Sequence, residues 1–172
     1  MKNLIKIFFL IFIFFFSISG NNYIYADQEN VIGFGVQSEI PQGIRFNIEL
    51  NNYENIQDIQ VKFKIDGRKS FQYEYLKLPK GNESIDHFFS TLQSSRYMPP
   101  GSKIEYYFEI FNKDGSSFRT EKQYDVLLDS RFNWDLVQGE IVDVYYHGPV
   151  SRRAKNVLEA VSYTHLRAHE TV

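Results

Sequence analysis

A mainly β chain, built as a two-sheet sandwich and followed by a strand that runs into a helix, is what this sequence predicts. Three observations lead there. Aromatic residues make up 17% of the 172 residues, with 16 Phe and 12 Tyr, and aromatic and β-branched side chains suit the pleated surface of a sheet. Apolar residues recur at every second position in run after run, the period of a half-buried strand. Gly, Pro, Asn and Asp divide these runs at short intervals. The length suits about one domain with appendages.

In chain order, residues 1–26 read as an export signal. Lys2 and Lys6 give a positive start, Ile7 to Phe16 form an unbroken apolar run, and Ala26 offers a small residue before a cut ahead of Asp27. An uncleaved anchor is the competing reading, which Asn21 and Asn22 fit poorly. The remainder is expected outside the cytoplasm, either secreted or held at the membrane through this segment. The chain has no cysteine, which excludes a lipoprotein anchor, a disulfide framework, a thiolate nucleophile and a Cys-based metal site. Net charge is −2 with a pI near 6.1, which gives no sign of a polyanion-binding surface and argues against a nucleic-acid partner.

Residues 27–30 form a polar linker, and residues 31–128 carry the sandwich. Val31 to Val36 is a short strand containing Gly. Ile44, Phe46, Ile48 and Leu50 alternate with polar neighbours, and so do Ile59, Val61, Phe63 and Ile65. Phe71, Tyr73 and Tyr75 come next. Ser84 to Leu92 is assigned as a strand despite the adjacent Phe88 and Phe89. Ile104, Tyr106, Phe108 and Ile110 then precede Phe118, Thr120, Tyr124 and Val126. Asp114-Gly115 between these last two runs makes Lys103 to Tyr124 the clearest hairpin. About seven short strands in roughly a hundred residues predict an immunoglobulin- or fibronectin-III-like sandwich.

The pattern changes after Leu128. Residues 129–139 read as a polar-aromatic bridge between domains. Glu140 to His147 is a nearly continuous apolar strand on Ile141, Val142, Val144 and Tyr145. Gly148-Pro149 follows, with Pro suited to a first helical turn. Val150, Ala154, Val157 and Leu158 then fall at helical spacing opposite Arg152, Arg153, Lys155 and Glu159. A strand feeding a helix opens an α/β unit. Residues 140–160 are therefore expected to begin a second, truncated α/β (α+β) domain.

The order P-P-G-S-K-I-E-Y-Y-F-E-I (Pro99 to Ile110), Asp114-Gly115, Asp129-Ser130-Arg131-Phe132-Asn133-Trp134, then Val142 to His147 and a helix resembles the N-terminal part of peptidase MA-like proteins. The match covers mainly Met98 to Leu158. The resemblance implies an exported bacterial protein with an Ig-like domain ahead of a gluzincin-type zinc metallopeptidase domain acting on peptide or protein substrates. Zinc and the H-E-x-x-H helix would belong to the intact parent, because no position here matches that motif. No catalytic, metal-ligating or cofactor-binding residue is assigned, and this chain alone is expected to be inactive. An exported Ig-like binding or adhesion module without enzymatic activity is the alternative.

Residues 161–172 resemble a translated transposon-end sequencing adapter. Read from its third base, that adapter encodes V-S-Y-T-H-L-R-A-H-E-T, which is Val161 to Thr171. Its first two bases restrict residue 160 to Ser, Pro, Thr or Ala, and Ala160 complies. The tail is expected to be non-native and is excluded from functional reasoning. That removes His165 and His169, spaced like a zinc pair on a helix, with Glu170 beside them. The zincin pattern also needs Glu directly after the first His, where Leu166 stands.

The other candidates have simple structural readings. His147, at a strand end, is expected to be a surface or capping residue, and His87 carries even less signal. Trp134, the single Trp, is expected to pack in the interdomain joint. Asp125, Asp129 and Asp135 lack calcium-loop spacing and are expected to be solvated. Arg152 and Arg153 are expected on the wet face of the helix. Asn82-Glu83-Ser84 matches a glycosylation sequon, which is frequent by chance.

Overall fold

Alternation in the sequence becomes strand after strand in the computed structural model, which describes residues 30–79, 84–93 and 96–170, with side chains as far as Thr164. The expected export signal lies outside the described residues. The strands are β1 (Val31–Glu39), β2 (Gly43–Leu50), β3 (Ile56–Ile65), β4 (Gln72–Leu76), β5 (Ile85–Ser90), β6 (Ser102–Asn112), β7 (Ser117–Arg119), β8 (Gln123–Leu127), β9 (Trp134–Val137) and β10 (Val144–His147). One helix, α1 (Ser151–Glu170), follows.

Two antiparallel sheets enclose the core. The first has the order β1-β2-β5. In the second, β4-β3-β6 continues to β7 and β8, which pair in turn with the far side of β6. Ile44, Phe46 and Ile48 of the first sheet meet Ile59, Val61, Phe63, Phe108 and Ile110 of the second, all of them sealed from solvent. The Phe46 and Phe63 rings lie 5.1 Å apart across the interface. Each such side chain contributes roughly 1.5–3 kcal/mol by leaving water. The chain is thus mainly β, with the β-sandwich architecture its alternation predicts.

Three expectations are corrected. Phe71, Tyr73 and Tyr75 do not face the core: Phe71 lies against Lys64 and Lys122, and Tyr73 and Tyr75 are 59% and 57% exposed, while Leu76, of opposite parity, is buried. Leu76 shares its face with Glu74 and Gln72, and one Leu packed against Ile59 decides the register of a strand this short.

Tyr124 and Val126 also turn outward, because the return strand is not one regular ladder. β7 pairs Glu109 with Arg119, but β8 pairs Tyr106 with Gln123. The return strand therefore holds one residue more than β6 between these pairs. This β-bulge reverses the parity after Thr120, so Leu127 is buried and Tyr124 is exposed. Thr120 closes the gap: its N–H donates to the Phe108 carbonyl at 2.9 Å, and its Oγ1 accepts the Phe108 N–H at 3.0 Å.

The third correction concerns the segment after Leu128. Residues 129–139, expected as a bridge, include β9, and the expected strand over residues 140–147 shortens to β10. The two form an antiparallel hairpin in which Trp134 pairs with His147. Gly139 lies at the bend because a Cβ there would meet Leu158 of α1 and come within 2.7 Å of the Val142 carbonyl. Gly148, at φ +76, turns the chain into α1. The helix buries Ala154 against the hairpin, and Leu158 is half-buried there. Among the described residues no helix is long and apolar enough to cross a membrane.

Candidate functional site

The outer face of the five-strand sheet gathers residues whose neighbours in sequence point into the core. On β3 the inward Val61 and Phe63 force Lys62 and Lys64 outward. On β6 the same alternation presents Glu105, Tyr107 and Glu109. Register then lines them up in rows across the strands. Lys62 stands between Tyr73 and Tyr107, and Gln60 between Tyr75 and Glu109. Glu105 lies between Lys64 and Tyr124, and Glu109 between Gln60 and Arg119.

Ion pairs knit the rows together. Lys62 pairs with Glu109, satisfying its otherwise unbonded Oε2. Glu105 bridges two ammonium groups, Lys64 at 2.8 Å and Lys122 at 2.6 Å. Hydrogen bonds from Lys122 and then Lys64 hold the Glu105 carboxyl below the usual glutamate range, and the bond to Glu105 raises Lys122. Both ammonium groups also lie over the Phe71 ring, at 5.0 Å and 5.3 Å. Phe71 in turn meets the edge of Tyr107 at 5.5 Å. The lysines are partly exposed while the two glutamates are nearly buried, and pairs this near a surface add little stability. Their consequence here is position, since two lysines are held in place on an aromatic base. At the sheet edge the Tyr73 and Tyr75 rings lie 6.0 Å apart, edge to face.

Other features are less organised for chemistry. A polar cleft of about 780 Å³ at one end of the sandwich is lined by Asn30, Asn51, Asn52, Asn55 and the Asn112–Ser116 turn. Several of these amides already serve the loops: the Asn30 side chain donates to the Asn52 carbonyl and accepts the Asn52 N–H, Asn52 Oδ1 accepts the Glu54 N–H, and Asn112 Nδ2 donates to Ser116 Oγ. A second cleft, about 530 Å³, separates Pro100 and Lys103 of the sandwich from Val142, Tyr145 and Val157 of the hairpin–helix unit.

Of the candidates raised by the sequence, His147, Trp134 and Asp129 come together at the hairpin. His147 stacks on Phe132 at 4.4 Å and meets Trp134 edge-on at 5.0 Å. Trp134 donates its Nε1–H to the Asp129 carbonyl at 2.8 Å, which ties the hairpin to the end of the sandwich. Asp129 is not solvated as expected. It is buried, and Arg131 donates to both its carboxylate oxygens. That bond holds the Asp129 carboxyl below its ordinary range. Asp125 and Asp135 are exposed, as are Arg152 and Arg153.

His87 is half-buried, with Nε2 4.0 Å from a Glu74 carboxylate that Arg96 also approaches. His165, His169 and Glu170 lie in α1, but their side chains are outside the described residues, as are Asn82 and Glu83 of the sequon. No group of His, Cys, Asp and Glu among the described residues could hold a metal.

Sequence reasoning missed the tyrosine-and-charge face. The available signal was Leu76, which fixes the parity of β4, together with tyrosine rather than isoleucine at the opposite positions.

No family model matches this chain, and no curated protein does. Among solved structures, the crystal structure of a Br derivative of BhCBM56 is similar over 54% of this chain and 88% of that one. The two are 13% identical, with a TM-score of 0.41, and no functional reading is taken from a likeness this distant.

Proposed function

We propose that this chain is the non-catalytic N-terminal part of an exported zinc-dependent metallopeptidase. In this reading the sandwich is an accessory domain of immunoglobulin or fibronectin-III type, and the β9–β10–α1 unit opens the catalytic domain. One observation carries the reading. The hairpin and helix belong to neither sandwich sheet, and Val157 of α1 is left 47% exposed. An apolar helix position beside a two-strand hairpin suits a larger sheet that would cover it. The division of the sandwich into β1-β2-β5 and β4-β3-β6-β7 supports the domain type.

Zinc would polarise the scissile carbonyl and activate water in the parent. In this reading its ligands are assigned beyond residue 160, since no residue set among the described residues fits the metal.

The test is the reading frame of the source gene past the codon for Ala160. An H-E-x-x-H helix and a later Glu ligand are expected there. A protein made from that longer frame should hydrolyse a casein substrate and lose activity to a zinc chelator. This chain alone should do neither. An intact frame without the motif would sink the reading. A second reading, a binding module with no enzymatic partner, is favoured by the exposed tyrosine face.

A further inference from the structure

We propose that the outer face of the five-strand sheet binds an acidic polysaccharide, which lies across the strands from Tyr73 and Tyr75 to Tyr124. The inference goes beyond the peptidase reading and stands on the sheet face alone.

Exposed rings mark both edges of this face. Tyr73 and Tyr75 lie on β4, and Tyr124, 71% exposed, lies on β8. Three strand spacings of about 4.8 Å separate the two edges by roughly 14 Å, a span for a short oligosaccharide. A pyranose ring has an apolar C–H face and a polar rim. Tyrosine offers the matching pair, a large apolar ring with a hydroxyl at its tip.

Between the rings the face is charged, and this chooses among polymer classes. The centre of a protein interface is depleted of charge, whereas Lys62, Lys64, Glu105 and Glu109 occupy the centre here. Sugar hydroxyls both donate and accept, so they can satisfy ammonium and carboxylate groups alike. A nucleic-acid backbone would lay phosphates over Glu105 and Glu109, where a glycan can present hydroxyls between its acidic groups.

The sign of the face then favours an acidic glycan over a neutral one. Lys62, Lys64, Lys103, Arg119 and Lys122 outnumber Asp58, Glu105 and Glu109, although the whole chain is net −2. Complementary fields of this kind steer a charged ligand to its site. Lys64 and Lys122 are already held in place by Glu105 and Phe71, so little side-chain freedom remains to be lost on binding.

Affinity electrophoresis of the full chain, in gels containing polygalacturonate, alginate, hyaluronan or neutral dextran, tests this. At least one acidic polymer should retard the protein, and dextran should not. Tyr73→Ala with Tyr75→Ala, and separately Tyr124→Ala, should each weaken binding about tenfold, or 1.4 kcal/mol. Leu92→Ala, at a site 73% exposed and away from this face, should change nothing. Far-UV spectra would confirm that the variants fold. Failure of all three acidic polymers, equal retardation by dextran, or tyrosine variants that bind normally would overturn the proposal. So would a single-stranded DNA oligonucleotide that displaces the glycan at a lower concentration.

Discussion

Asp129 shows how one side chain joins the sandwich to the hairpin–helix unit. Its carboxylate is buried under Arg131, and its carbonyl accepts the Trp134 indole N–H. The hydrogen bond from Arg131 lowers the carboxyl in the folded state, and the sign of the pH effect follows. A carboxyl lowered on folding stabilises the protein above its unfolded pKa, and that stabilisation is lost as pH falls through the lowered folded value. Wild type should therefore melt above Asp129→Asn at neutral pH, with the gap closing as the buffer is acidified below the ordinary aspartate range. A thermal-melt gap that stays constant through that range would show the carboxylate charge to be irrelevant. Nothing in the sequence marked this residue as different from Asp125 or Asp135, because burial of an aspartate depends on which chain segments meet over it.

At the scale of elements, alternation was legible wherever a strand is long. Ile59 to Ile65 and Ile104 to Ile110 point where their period says, since each buries at least four inward apolar side chains. Short strands and length irregularities were not legible. β4 has five residues and β7 only three, so neither parity nor extent is fixed by their own side chains. The bulge after Thr120 leaves no composition signal, because an extra residue appears only when a partner strand is there to be counted against. The candidate face was illegible for the same reason, as its rows exist only once four strands are in register.

The bulge predicts an asymmetry. Deleting Glu121 should return Phe108 to an ordinary ladder bond with Thr120 and keep every downstream side chain on its face, at a cost of about 1 kcal/mol or less. Deleting Asp125 should instead turn Leu127 outward and cost roughly 2–5 kcal/mol. Urea unfolding of the two deletions checks the difference, and equal losses would mean that the extra residue is not absorbed as described.

For the whole molecule, stability is expected to be uneven. The sandwich has a continuous core, while the β9–β10–α1 unit buries little beyond Ala154. Regions with few buried apolar contacts open at lower free energy than the core. Amide hydrogen exchange should therefore be faster across α1 and β10 than across β3 and β6, by a factor of ten or more in exchange constant, equivalent to about 1.4 kcal/mol. Equal protection would mean that the two parts unfold as one.

The cationic sheet face has a further consequence at this scale. A chain of net charge −2 that concentrates positive groups on one flat side is an electric dipole. In dilute salt, an anionic wall would turn the molecule sheet-first before any atom touched. Near 0.1 M salt, where fields fade over about 10 Å, that alignment would survive only in the last layer of approach.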